Sequence, residues 1–146
     1  VRELAADALS TQWANSLLRD VYDFISEYQK QTDTICPMEI PVFWFVAAGL
    51  AVTSFLGATF LGATTDSKEV FLVEKLIQHK DGPWRKYINN NSSYPCYFSN
   101  NEDCQRAEFL AFCQHVQYWR TSCQAFTSDF QGGNTLLTDP QIITHP

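Results

Sequence analysis

Four cysteines, Cys96, Cys104, Cys113 and Cys123, fall within 28 residues, separated by seven, eight and nine residues. Clustered thiols in a small acidic segment point to disulfide chemistry in an oxidising compartment, so all four are disulfide candidates. On one unbroken helix Cys104 and Cys113 would stand about 13 Å apart along the axis and Cys113 and Cys123 about 15 Å, against a Cα limit near 7 Å. A continuous helix therefore leaves Cys96 as the only internal partner, most easily for Cys104. A helix that folds back between Cys113 and Cys123 would admit two bridges. Cys36 stands alone and reads as a free thiol.

Other chemistry is sparse. His115, two residues from Cys113, invites a metal reading with Cys104 or Cys123, but positions two apart on a helix point in different directions. His79 sits at the C-terminal end of an expected helix, where the dipole favours its charge, and His145 lies in the tail. The chain has no glycine-rich phosphate loop, no His-Glu-x-x-His and no Gly-x-Ser-x-Gly, and Gly132-Gly133 lacks the flanking strand and helix that would give it meaning. The expectation is a protein that is not an enzyme, with no catalytic residues, no cofactor and no metal.

The element that would position everything else is Ile40 to Ala63, twenty-four residues without an ionisable side chain. As a helix it would measure about 36 Å, enough to cross a hydrocarbon core of roughly 30 Å. Pro41 fits its first turn and Trp44 a headgroup layer. Gly49, Thr53 and Gly57 recur every four residues, as do Ser54, Ala58 and Gly62, and such small-residue ridges let a second membrane helix pack closely.

Around the span the expected fold class is all-α. Residues 1–39 form an amphipathic arm, with Leu9, Trp13, Leu17, Val21, Phe24 and Tyr28 at spacings of three and four. Residues 64–131 form a Cys-containing arm. Within it, Asp66 and Glu69 are spaced as a capping box for a helix of about 14 residues that stops at Gly82-Pro83. Ser99 and Glu102 begin a helix running from about 100 to 127. Residues 132–146 are an extended tail. Asn90 and Asn91 open two overlapping glycosylation triplets.

Net charge is −6 with a pI of about 4.9 and no basic run, which argues against nucleic acid as a partner. Charged residues make up 18% and aromatics 14%, a composition suited to a surface covered by lipid and other subunits. Cations near the span favour a cytosolic or matrix C-terminal side, whereas the cysteines favour the opposite one.

The spacing Cys113-(nine residues)-Cys123, with Phe109, Phe112 and Trp119 around it, is similar to coiled-coil-helix-coiled-coil-helix proteins. That resemblance covers about 30 residues and implies the mitochondrial intermembrane space. In architecture the chain resembles single-pass accessory subunits of mitochondrial oxidative phosphorylation complexes. The resemblance implies a non-catalytic subunit of the inner membrane, N-terminus in the matrix and C-terminus in the intermembrane space, whose partners are other membrane-protein subunits and the lipid bilayer. A single-pass surface protein with a disulfide-bonded ectodomain and a membrane-bound assembly factor are the alternatives.

Overall fold

A computed structural model describes residues 2–36, 39–56 and 66–145. The fold mixes helix and sheet, so the all-α expectation is overturned. Among the described residues two α-helices, α1 (Arg2–Thr32) and α2 (Asn101–Arg120), flank eight short strands. No described helix is long and apolar enough to cross a membrane. The apolar run expected to span the bilayer instead supplies β1 (Trp44–Phe45) and β2 (Ala48–Leu56), and residues 57–63 of it lie outside the described residues. β2 pairs antiparallel with β3 (Asp66–Glu74), where a capped helix was expected. Absence of charge was a misleading criterion, because an apolar run does not by itself tell a strand from a helix, and in β2 Leu50 and Val52 are apolar yet exposed. The aromatic and β-branched content of 42–46, Val-Phe-Trp-Phe-Val, favours extended backbone.

Of the small residues expected on packing ridges, Gly49, Thr53 and Ser54 lie in β2, while Gly57, Ala58 and Gly62 lie outside the described residues.

The C-terminal stretch is folded too. It supplies β5 (Ala125–Ser128), β6 (Gln131–Gly132), β7 (Leu136–Thr138) and β8 (Gln141–Thr144). With β4 (Arg85–Lys86) these build a sheet ordered β1-β7-β6-β4, in which β1 runs parallel to β7 and the other neighbours are antiparallel. β5 and β8 make a separate antiparallel pair.

Helix α1 buries Leu17 and Val21 of the expected stripe together with Ala14 and Leu18, against its own chain, while Leu9, Trp13 and Tyr28 of that stripe are exposed. Its polar groups also dress the outer edge of β1. Asn15 Oδ1 accepts from Phe45 N at 2.8 Å and Asn15 Nδ2 donates to Phe45 O at 3.1 Å. Two turns later Tyr22 Oη accepts from Phe43 N at 2.7 Å and donates to Pro41 O at 3.0 Å. Burial pushes the Tyr22 phenol well above its ordinary value, so it stays a donor at any physiological pH. Arg120 ties α2 to α1 through a two-pronged ion pair with Asp20, at 2.7 and 3.1 Å.

Helix α2 starts one residue later than expected. Asn100 Oδ1 accepts from Asp103 N at 2.8 Å, and the Asp103 carboxylate takes a hydrogen bond back from Asn100 Nδ2 at 2.7 Å, a reciprocal cap. The helix also stops seven residues early. Thr121 Oγ1 bonds both the N–H and the carbonyl of Ala125, and Ser122 and Cys123 take left-handed backbone, which turns the chain into β5.

The core collects Leu110 of α2, Leu137 of β7 and, next to the sheet strands in sequence, Phe43, Tyr87, Ile88 and Phe130, each at most 2% exposed, together with Ala14, Leu18 and Val21 of α1. Each of the larger of these side chains contributes roughly 1.5–3 kcal/mol on burial. Gly132, at φ +148°, sits where an added Cβ would overlap the Leu136 carbonyl oxygen. Gly132→Ala is therefore expected to cost roughly 2–3 kcal/mol in urea unfolding. A loss under about 0.5 kcal/mol would show that β6 and β7 separate at no cost.

Candidate active site

Ten residues apart, Asp129 and Asp139 bracket the β6–β7 hairpin, and both adopt left-handed backbone, with φ of 62° and 50°. Non-glycine residues in that region carry strain of order 1 kcal/mol or more, and such strain concentrates at functional sites. Asp139 also precedes Pro140, which ordinarily forces the preceding residue into extended backbone.

The two glutamines on the inner face of α2 hold the approach to Asp129. Gln117 Oε1 accepts from Thr127 N at 2.8 Å and Gln114 Nε2 donates to Thr127 O at 3.0 Å, two residues before the aspartate. Asp129 is 5% exposed and forms an ion pair with Lys86 on β4. Its Oδ1 accepts no well-directed hydrogen bond besides that contact. Lys86 Nζ also donates to Gln131 Oε1 at 2.9 Å, and Gln131 Nε2 donates to Asp139 Oδ2 at 3.1 Å. A single polar chain thus runs Asp129, Lys86, Gln131, Asp139. Asp129 is its buried end and Asp139, exposed, its solvent end.

That solvent end opens on a polar cavity of about 290 Å³, walled by Leu72, Glu74, Trp84, Gln131, Thr138 and Asp139, with Asp7 and Thr11 of α1 behind. Glu74, the last residue of β3, accepts from Thr138 Oγ1 at 3.1 Å, so the β2–β3 hairpin is docked onto the β6–β7 hairpin across the cavity. A larger space of about 570 Å³ lies between α1, α2 and Thr34, Cys36, Ile40 and Pro41. Its surface is almost wholly apolar despite Gln29, Thr34, Gln105 and Glu108 among its lining residues, whereas the smaller cavity meets the linked polar chain, so the smaller cavity is the better site.

None of these residues was expected from the sequence to do chemistry. The signals present were Asp129 and Asp139 at the two ends of a short uncharged stretch around Gly132-Gly133, and an aspartate directly before a proline. Each asks for unusual backbone. The disulfide candidates lie elsewhere and are free thiols here. Cys96 accepts from Asn89 Nδ2 at 3.5 Å, Cys104 Sγ donates to Phe98 O at 3.1 Å, Cys113 is buried in the core, and Cys123 is exposed beyond α2. Burial raises the Cys113 thiol far out of the physiological range, and the thiol is inert there. Among the described residues no group of three or more His, Cys, Asp or Glu side chains could hold a metal ion, so His115 has no such site.

The fold matches alpha-kinase domains of known structure. The domain of myosin heavy chain kinase A in complex with ADP shares 19% identity and a TM-score of 0.55 over 99% of this chain and 46% of that one. For its complex with AMP the figures are 21%, 0.55, 99% and 47%, and for the apoenzyme 18%, 0.56, 99% and 47%. At such identities the likeness shows a shared fold. The chain spans about half the length of the domains it matches. No curated protein sequence matches it. The Alpha-kinase family model matches residues 17–146.

That match overturns the readings built on a membrane span: the mitochondrial accessory subunit, the similarity to coiled-coil-helix-coiled-coil-helix proteins, the partnership with bilayer and membrane subunits, and the expectation of no enzyme. Each rested on taking 40–63 as a helix or on the cysteine spacing, and neither feature reports on the cavity between the two hairpins. With its fold shared over nearly the whole length and the family's sequence pattern running from residue 17 to residue 146, the chain belongs to the alpha-kinase family.

Proposed function

We propose that this chain carries the nucleotide-facing and proton-accepting part of a protein kinase, transferring the γ-phosphoryl group of ATP to a hydroxyl of a protein substrate. The observation that carries the reading is the polar chain from buried Asp129 through Lys86 and Gln131 to exposed Asp139, ending at a cavity. Structures of the related domain are described as complexes with ADP, AMP and AMP-PNP, and one is an inactive form, bearing an aspartate-to-alanine substitution, in complex with ATP.

Leu72 and Trp84 give the cavity two apolar walls, against which a purine ring is desolvated and stacked, and Glu74 lines the same cavity. Lys86, a point charge held by Asp129 and Gln131, supplies attraction for phosphate oxygens. Asp139 is the carboxylate a substrate hydroxyl can reach. In the transfer the hydroxyl oxygen bonds to the γ-phosphorus, the bond from that phosphorus to the β–γ bridging oxygen breaks, ADP departs, and the hydroxyl proton passes to the Asp139 carboxylate.

A magnesium ion fits this donor set. Asp129 Oδ1 is buried with acceptor capacity left over, and the Gln131 side-chain carbonyl is a further hard oxygen donor on the same hairpin. When bound, the ion would neutralise phosphate charge. Magnesium takes few protein ligands beside nucleotide phosphates, so the lack of a three-carboxylate cluster among the described residues does not count against it.

The test is transfer of label from γ-³²P-ATP to an acceptor protein, with and without magnesium, together with calorimetric titration by ATP. No heat of binding at 1 mM ATP would overturn the reading. Trp84 is 58% exposed, so its removal spares the fold. Trp84→Ala is expected to raise the KM for ATP about tenfold with kcat little changed, the cost of one lost stacking surface. An unchanged KM would remove the purine from this wall.

A further inference from the structure

The turn joining β6 to β7 is held from outside. It spans residues 133–136, and nearly every polar group in it is met by a residue from another element. Asp81 ends a short 3-10 turn (His79–Asp81), more than fifty residues away in sequence. Its Oδ2 accepts from Leu136 N at 3.0 Å and Thr135 N at 3.4 Å, its Oδ1 accepts from Thr135 Oγ1 at 2.5 Å, and its carbonyl accepts from Asn134 N at 2.6 Å. Tyr87 Oη donates to Gly133 O at 2.7 Å, and Arg85 Nη1 donates to Asn134 Oδ1 at 3.0 Å.

The approach is close by construction. A Cβ on Gly133 would overlap the Asp81 carboxylate, and a Cβ on Gly82, at φ +89°, would overlap the Asn134 side chain. Glycine stands on both sides of the contact because the two backbones meet there.

At the other end of the same hairpin Gln131 faces Thr138 across the ladder, and Asp139 follows directly. Between clamp and site lie only two ladder pairs, so a shift of the turn along the strand axis reaches Gln131 and Asp139 with little damping. We propose that Asp81 is a positioning residue: by clamping the 133–136 turn it sets where Asp139 stands relative to Gln131, and so aligns the proton acceptor with the hydroxyl to be phosphorylated. The role rests on the kinase reading above, and its test separates the two.

Asp81→Ala removes all three side-chain acceptor contacts. Asp81→Asn can keep its carbonyl oxygen toward the Leu136 and Thr135 amides and turn its amide toward Thr135 Oγ1, which then accepts. In the whole natural protein, Asp81→Ala is expected to lower kcat about 30-fold, with the KM for ATP within twofold of wild type, while Asp81→Asn recovers kcat to within about threefold. A second readout is independent of turnover. The pair of ¹H–¹⁵N cross-peaks from the two protons of the Gln131 side-chain amide, which donates to Asp139 at 3.1 Å, is expected to shift and broaden in Asp81→Ala and to be restored in Asp81→Asn.

Wild-type kcat in Asp81→Ala overturns the proposal, as does a loss that Asp81→Asn fails to rescue. A wild-type protein that binds no nucleotide overturns the kinase reading alone, and the Gln131 resonances then decide whether the clamp exists. Unchanged resonances overturn the clamp whether or not the protein turns over.

Discussion

Asp139→Ala is expected to lower phosphoryl transfer by about 10³-fold while ATP still binds with a dissociation constant within threefold of wild type. General-base assistance is worth about 10²–10⁴-fold, and this side chain is the exposed member of the two-aspartate pair. Asp129 is the buried member, committed to Lys86, so it cannot reach a substrate hydroxyl. Asp139, by contrast, is restrained by a single neutral hydrogen bond from Gln131 and keeps lone pairs free toward the cavity. Quenched-flow measurement of the chemical step, paired with calorimetry for binding, separates rate from affinity. More than a tenth of wild-type rate would show that another group accepts the proton. A parallel loss of ATP affinity would show Asp139 to be a binding residue.

The largest expected effect on stability comes from Asp103→Ala, about 3–5 kcal/mol in chemical denaturation. Asp103 has a side chain only 2% exposed and lies between two guanidinium groups that are themselves mostly covered, Arg85 at 17% and Arg106 at 21%. Its carboxylate also closes the cap of α2 with Asn100. Removing it leaves two cations short of a partner in a poorly hydrated place and frays the first turn of α2 at the same time. Asp103→Asn keeps the shape and loses the charge, so comparing the two apportions the cost.

The same residue sets an acid limit. Burial pushes the Asp103 carboxyl upward, but the hydrogen bonds from Asn100, Arg106 and Arg85 outweigh it and hold the folded value below the usual carboxylate range. A carboxyl lowered in this way stabilises the fold fully above its unfolded value near 4, and the contribution disappears as pH falls through the folded value. Stability of the wild type should therefore drop more steeply than that of Asp103→Asn below about pH 4, and the two curves should run parallel above pH 6.

How much of this was legible in the sequence varies by element. α1 was, because its apolar residues keep helical period through Leu17, Val21 and Phe24. Most of α2 was for the same reason, and the break at Gly82-Pro83 falls where the chain does turn into β4. β2 was not. Ala-Gly-Leu-Ala-Val-Thr-Ser-Phe-Leu shows neither alternation nor helical period, and an apolar run of that kind does not declare its structure without length and partners. Its partner strand β3 decides the matter, and the register that joins Ala48 to Glu74 is not written in either segment alone.

The site was hidden more deeply. Lys86 meets Asp129 only because β4 pairs with β6, and Glu74 meets Thr138 only because two hairpins dock, so no local spacing announces either contact. What the sequence did display was backbone chemistry. Aspartates at 129 and 139 occupy positions where the chain reverses, and aspartate is among the few residues that tolerate left-handed backbone.

The dressing of β1 by Asn15 and Tyr22 bears on how the chain folds as it is made. Trp44 pairs with Leu136, so β1 leaves the ribosome long before β7 exists, about 5–20 s earlier at ordinary elongation rates. An unpaired strand of Phe-Trp-Phe is the kind of edge that recruits other chains during such a wait. The asparagine and tyrosine on α1, made before β1 and lying 30 and 21 residues upstream of their partners, engage one side of that edge from within the nascent chain. Half of β1 is thus chaperoned in cis, and the aggregation-prone interval concerns only the side that later receives β7.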